Sequence, residues 1–259
     1  MLYEMIMEAI PGSVSLLQNT DGIEVRIPRD QKEKYLEVCD KWEEITNLQL
    51  EHEEYQKLIL GDVNNYIGLN NYKQVSMDEF RKVKQKNPHY LYKVDKDKFY
   101  YAPTKLKGRF DFHNLMLHKN KSKLIIPKAI YYYFIHDMLP EDYLSHNKNI
   151  LDYCIGGKSK GDWEQVSRTI NDGTFHEEKL QKINRYYISN TGVKIIKVNK
   201  NDQREIQLES GKWLQTIFNK MKVEPQWENY NINRAYYLSA IEQEINNILK
   251  VSTSQLELF

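Results

Sequence analysis

Reactive side chains are sparse in this chain of 259 residues. Its two cysteines, Cys39 and Cys154, lie far apart and make neither a zinc ribbon nor a disulfide framework, which fits a reducing compartment. Its seven histidines fall in no His-x-x-x-His pattern, which argues against a zinc site. Three groups of residues remain. Asp21 lies in the stop Asn19-Thr20-Asp21-Gly22, between the apolar runs Ser13–Gln18 and Ile23–Ile27. Asp-Gly in that setting signals a hairpin, because Gly22 takes a positive φ without a Cβ clash. Such a turn pushes the Asp21 carboxylate out to where it can meet a ligand, although most turns of this kind are only turns. Lys105-Leu106-Lys107-Gly108-Arg109 gathers cations around a glycine, as phosphate contact requires. The C-terminus, Gln255-Leu256-Glu257-Leu258-Phe259, ends a polar stretch on exposed leucine and phenylalanine.

The elements that must carry these residues follow from periodicity. Leu2–Ile10 reads as a short helix stopped by Pro11-Gly12. Residues 30 to 46 read as an amphipathic helix, with Asp30 at the N-cap and Tyr35, Leu36, Val38, Cys39, Trp42 and Ile45 near helical spacing. Residues 48 to 69 give two strands, the second buried and carrying Tyr66-Ile67. Pro127 suits the first turn of a helix with Ala129, Ile130, Tyr133 and Phe134 on its apolar face. The run Tyr131-Tyr132-Tyr133 is core plus rim at that spacing rather than a stacking platform. A helix over 140–155 ends at Gly156-Gly157, and 158–176 are polar and weakly patterned. A strand pair starts at Arg185-Tyr186, with Val193–Val198 turning at Asn201-Asp202 into Ile206–Leu208. Trp213, Leu214, Ile217 and Phe218 are core by spacing, and residues 232 to 249 form the last helix. There are no internal repeats.

A hydrophobic content of 41% and a charged content of 28% predict a folded, soluble chain of one to two domains. No run of about 18 apolar residues exists and the N-terminus lacks a secretion pattern, so a cytoplasmic, non-membrane location is expected. The net charge of +1 hides an asymmetry. Residues 81 to 123 hold 13 lysines and arginines against three aspartates, interleaved with Tyr90, Tyr92, Tyr100, Tyr101 and Phe110. That mixture suits nucleic-acid backbones, while a charge run alone is as often a solvated face. Residues 30 to 54 carry nine acidic residues against three lysines. The abundance of Asn, Lys, Ile and Tyr suggests an AT-rich genome, such as that of a phage or plasmid.

The order helix, hairpin, helix, strand pair, cationic glycine segment resembles the palm and thumb of family B DNA polymerases, in the phage- and plasmid-type branch. In that family the hairpin tip carries Asp-Thr-Asp, matched here by Asn19-Thr20-Asp21, and a later strand carries Lys-x-Tyr, matched by Asn64-Asn65-Tyr66. Lys105-x-Lys107-Gly108 resembles the family's palm-to-thumb segment. The tail resembles the bacterial sliding-clamp-binding peptide. The resemblance implies an α+β fold: a partial palm with an antiparallel hairpin, then a mainly helical thumb. The boundaries would be 1–104 for palm with a basic insertion near 70–100, 105–250 for thumb, and 251–259 for a flexible tail.

It also implies roles. Asp21 would be the catalytic residue and metal ligand, with two Mg²⁺ ions shared with a second chain. Asn64, Tyr66, Lys105, Lys107, Arg109, Arg185 and Tyr186 would contact DNA. Gln255, Leu256, Leu258 and Phe259 would bind the clamp. The family's Asp-x-x-Ser-Leu-Tyr-Pro and Lys-x-x-x-Asn-Ser-x-Tyr-Gly segments are missing, and no exonuclease carboxylate set is visible. With Met1 just before the hairpin and the tail intact, the expectation is the C-terminal chain of a split DNA polymerase. A partner chain would bring the fingers, the other aspartate, the remaining palm and the exonuclease; the other partners are primer-template DNA, dNTP and a clamp. A cut fragment explains the same residues. Two alternatives stay open: a non-catalytic DNA-binding adaptor that tethers a partner to the clamp, and an unrelated interaction protein with a chance hairpin.

Overall fold

A computed structural model describes residues 1–19, 22–113, 122–171, 173–214, 216–217, 220–221 and 223–254. The fold is α+β, with several antiparallel sheets. The chain divides into two units, one of Met1–Gly108 joined by the chain from Asn247, the other of Arg109–Asn246. Among the described residues no helix is long and apolar enough to cross a membrane.

The first unit begins with α1 (Leu2–Ala9), then β1 (Val14–Gln18) and β2 (Ile23–Arg26), which pair antiparallel. The Asn19 N–H donates to Gly22 O at 3.0 Å and closes the hairpin. A bulge between Ser15 and Leu17 lets both Leu16 and Leu17 turn toward the next sheet. α2 (Lys32–Thr46) follows a 3₁₀ turn over Arg29–Gln31, so the helix starts two residues after the expected cap at Asp30. Ile23 and Val25 on one face of the hairpin pack with Ile6, Ile10, Tyr35 and Val38, so α1 and α2 cover that face. The acidic residues of α2 lie mostly on its solvated side.

β3 (Tyr55–Asp62), β4 (Asn65–Asn70) and β8 (Thr104–Leu106) form a three-stranded sheet. Between them the chain builds a small lobe: β5 (Lys73–Val75), α3 (Met77–Lys86), β6 (Leu91–Asp95) and β7 (Lys98–Ala102), in the sheet order β5-β7-β6. Ser76 caps α3 by accepting from the Glu79 N–H, and Phe80 anchors the helix on Tyr92 and Phe99, with ring centroids 5.4 and 5.2 Å away. The basic insertion expected near 70–100 is therefore a folded lobe.

The second unit holds α4 (Ile125–His136), α5 (Pro140–His146) and α6 (Ile150–Tyr153). The single helix expected over 140–155 is thus two short ones, because Asn147 and Asn149 leave the helical region and each side chain accepts a local backbone N–H. Gly156 and Gly157 lie in a strand. β9 (Ile155–Lys158), β10 (Trp163–Asn171), β11 (Thr174–Lys179), β12 (Ile183–Tyr187), β13 (Lys194–Asn199), β14 (Glu205–Gln207) and β15 (Lys212–Trp213) make two sheets, ordered β11-β10-β13-β14 and β15-β12-β9. This unit carries more strand than its sequence pattern suggests. The β10–β11 hairpin hides its alternation behind ion pairs: Arg168 meets Glu177 and Glu205, and Glu164 meets Lys179 and Lys200. β13 and β14 pair as expected, but β12 pairs with β9 and β15 instead.

Two short strands, β16 (Thr216–Ile217) and β17 (Lys220–Met221), precede α7 (Arg234–Ser254). α7 runs on through Ser254, past the expected end near 249. Tyr237, Ile241, Ile245 and Ile248 form its buried stripe. The Tyr237 hydroxyl donates to Tyr153 O at 2.8 Å and accepts from the Ile188 N–H at 2.9 Å, which ties α7 to α6 and to the end of β12. The tyrosine run on α4 behaves as core plus rim: Tyr131 is fully buried, Tyr132 and Tyr133 half-buried.

Candidate nucleic-acid interface

One face of the β3-β4-β8 sheet is turned toward the hairpin. Register places Leu58, Leu60, Tyr66, Gly68 and Lys105 on that face, since directly paired residues share a side. Leu17 of the hairpin packs with Leu60 and Tyr66 in a small buried cluster. Glu24, the register partner of Leu17, lies on the same side of the hairpin. The Tyr55 ring lies flat over Gly68: a Cβ there would fall 2.5 Å from Tyr55 Cε1, so only glycine admits the ring. From that position the Tyr55 hydroxyl donates to Glu53, and Glu53 also holds Lys105 in an ion pair. Lys107 donates its backbone N–H to Tyr66 O at 3.0 Å and reaches back with its ammonium 5.7 Å above the Tyr66 ring.

Gly108 closes the same corner. Its φ is +65°, and a Cβ would fall 2.1 Å from Asn64 O. The close approach expected of this glycine is thus to the chain's own Asn64-Asn65 turn. That turn is fixed by Asp62, which accepts from the Asn64 N–H at 2.9 Å and from Asn65 Nδ2 at 2.8 and 2.7 Å. The Asn64 side chain is exposed at the tip.

The electrostatics set these groups apart. Burial pushes the half-buried Glu24 carboxyl above its ordinary value, with Glu53 adding to the push while Lys105 and Lys107 pull it down. Burial also raises Glu53, but hydrogen bonds from Lys105 and Tyr55 outweigh it and leave that carboxyl below its ordinary value. For Lys105, burial works against the charge, yet the hydrogen bond to Glu53, with Tyr66 and Glu24 nearby, holds its ammonium above the ordinary value. Lys105 is therefore a cation paired with a carboxylate, whereas the Lys107 ammonium lies over a ring.

The other expected residues are dispersed. Asp21, the expected catalytic and metal-binding residue, lies outside the described residues, as do the expected clamp-binding residues Gln255, Leu256, Leu258 and Phe259, and Phe218. Among the described residues no group of three His, Cys, Asp or Glu lies together to hold a metal ion. In the second unit, Arg109 pairs with Glu244 and rests over the Phe110 ring. Arg185 is half-buried on β12. Tyr186, expected to face DNA, is buried to 4% exposure with Leu180, Ile195 and Trp213, because β12 is the central strand of its sheet. Burial lifts its hydroxyl to about 12.

No protein-family model, curated protein or solved structure matches this chain. The site stands on its own geometry. Sequence reasoning missed Glu24, Glu53, Tyr55 and Gly68. Alternation along β2 could have exposed Glu24, since it faces away from Ile23 and Val25. Nothing in the sequence around Glu53 marks it for Lys105, which lies 52 residues on.

Proposed function

We propose that this chain is the C-terminal part of a DNA-directed DNA polymerase, supplying a partial palm in its first unit and a thumb in its second. The observation that carries this reading is a convergence. The 14–26 hairpin, Tyr66 and the Lys105-x-Lys107-Gly108 segment are far apart in sequence, yet pack as one cluster in the first unit. Those are the segments the polymerase resemblance rests on. In this reading Asp21 and an aspartate of a second chain hold two Mg²⁺ ions, which when bound activate the primer 3′-hydroxyl and steady the leaving pyrophosphate. The chain's own residues do the positioning. Leu17, Leu60 and Tyr66 fix the hairpin on the sheet, and Lys107 presents a cation beside Tyr66 for a primer phosphate. Among the described residues β1 and β2 pair only with each other, so their outer edges are open to a strand from the partner chain.

A second reading, a non-catalytic DNA-binding adaptor, is favoured by Asn19 and Asn64 standing where the family has charged residues and by the pairing of Lys105 with Glu53. Primer extension separates the two. The chain alone should extend nothing. Mixed with a chain that carries the Asp-x-x-Ser-Leu-Tyr-Pro and Asn-Ser-x-Tyr-Gly segments, Mg²⁺ and dNTPs, it should extend a primer. Asp21→Ala should abolish that extension while leaving DNA affinity nearly unchanged. Undiminished extension by Asp21→Ala would refute the catalytic reading.

A further inference from the structure

The lobe over residues 71–103 has no role in the polymerase reading, yet it carries several cations that no carboxylate holds. Lys105, Arg109 and Lys123 are each tied to a carboxylate. Among the described residues Arg81, Lys82, Lys86, Lys93 and Lys98 form no ion pair. The aromatic residues of the basic block divide in the same way. Tyr90 and Tyr101 stack on each other, with centroids 6.1 Å apart. Tyr92 packs on Phe80 and donates to Asn87 O at 2.7 Å, and Phe110 is fully buried. Among the described residues, the Tyr100 side chain alone of these has neither a ring contact nor a hydrogen-bond partner.

Register shows where Tyr100 points. α3 covers the face of the β5-β7-β6 sheet that carries Phe99 and Tyr92. Tyr100 lies on the opposite face, in one cross-strand row with Gln74 and Lys93. Lys98 is on the same face, two residues along β7, about 7 Å away, with Asp95 opposite it. Gln74, Lys93 and Lys98 are exposed and Tyr100 is half-buried, so this part of the face is open.

We infer that this face binds single-stranded DNA, one base stacking on the Tyr100 ring while Lys93 and Lys98 meet the flanking phosphates. A ring flanked by cations on an open sheet matches a strand whose bases are free to splay. A duplex hides its base faces in the stack and offers such a surface only its backbone. The choice of DNA rests on the proposed function; the ring, the charges and the geometry do not.

The test is fluorescence anisotropy with the full chain and a labelled oligothymidylate of about 12 nucleotides, titrated over a series of salt concentrations. Tyr100→Ala should weaken binding by about 5- to 100-fold and Tyr100→Phe should retain it. Replacing Lys93 and Lys98 together by glutamine should lower the salt slope by about 1.4, with the thermal unfolding curve unchanged. Failure to bind, Tyr100→Ala binding within about twofold of wild type, or a duplex competitor outcompeting the single strand would each overturn the inference. Primer extension reads the other site. A chain that cannot extend even with the partner chain present but binds through Tyr100 keeps this inference and loses the polymerase reading; the reverse outcome does the opposite.

Discussion

On the proposed function, replacing Glu53 by glutamine should tighten binding to duplex DNA. Lys105 is the cation that a palm-to-thumb segment would offer to phosphate, and Glu53 occupies it. Both side chains are 45% exposed, so solvent screens the pair and its own contribution to stability is at most about 1 kcal/mol. Its effect on binding is larger. A released Lys105 that reaches one more phosphate steepens the dependence of log affinity on log salt by about 0.9, which at 0.1 M salt amounts to about eightfold tighter binding at most. The assay is anisotropy of a labelled primer-template duplex across a potassium chloride series, comparing wild type, Glu53→Gln and Glu53→Gln with Lys105→Gln. The double variant should return to the wild-type slope. The substitution also has a pH signature. Because the folded Glu53 carboxyl lies below its ordinary value, its share of stability is present above the ordinary carboxylate range and is lost as pH falls through the lowered folded value. Glu53→Gln should lack that acid limb. An unchanged salt slope, or weaker binding by Glu53→Gln, would refute the idea that this pair masks a phosphate-binding cation.

Gly108→Ala should cost at least about 2 kcal/mol, since it adds left-handed strain to a contact 2.1 Å from Asn64 O, and urea denaturation should show it in the first unit's transition. Lys128→Met should cost about 3 kcal/mol. Lys128 meets both Asp152 oxygens at 2.8 Å, the Asp152 carboxylate is 4% exposed, and Asn147 alone would then satisfy it. Adding Asp152→Leu should recover most of that loss in the same measurement. Deleting Leu258 and Phe259 should leave single-step chemistry unchanged and shorten the product made per binding event when a sliding clamp is present, because the tail would act by tethering. Equal clamp stimulation of full and truncated chains would remove those residues as the contact.

The sequence by itself determined the elements whose signals are local. The hairpin flanks, α2, β4, α4 and the stripe on α7 each follow from apolar spacing over one window and from a stop such as Asn19–Gly22 or Pro11-Gly12. The same windows made Gly108 stand out as a point of close approach, although not what it approaches. Tertiary structure alone decided the state of each charged or aromatic side chain. Lys105 and Tyr100 look alike in the sequence, each a candidate for nucleic acid in one basic block. Strand register puts Lys105 across from Gly68 and within reach of Glu53, while it leaves Tyr100 on an open face. Tyr186 looks exposed beside Arg185, but β12 became the middle strand between β9 and β15, and its ring went inward. The physical reason is range. Periodicity reports which face of an element is apolar, whereas ion pairing and burial depend on which distant strand lies alongside, and that is fixed only when the sheets assemble.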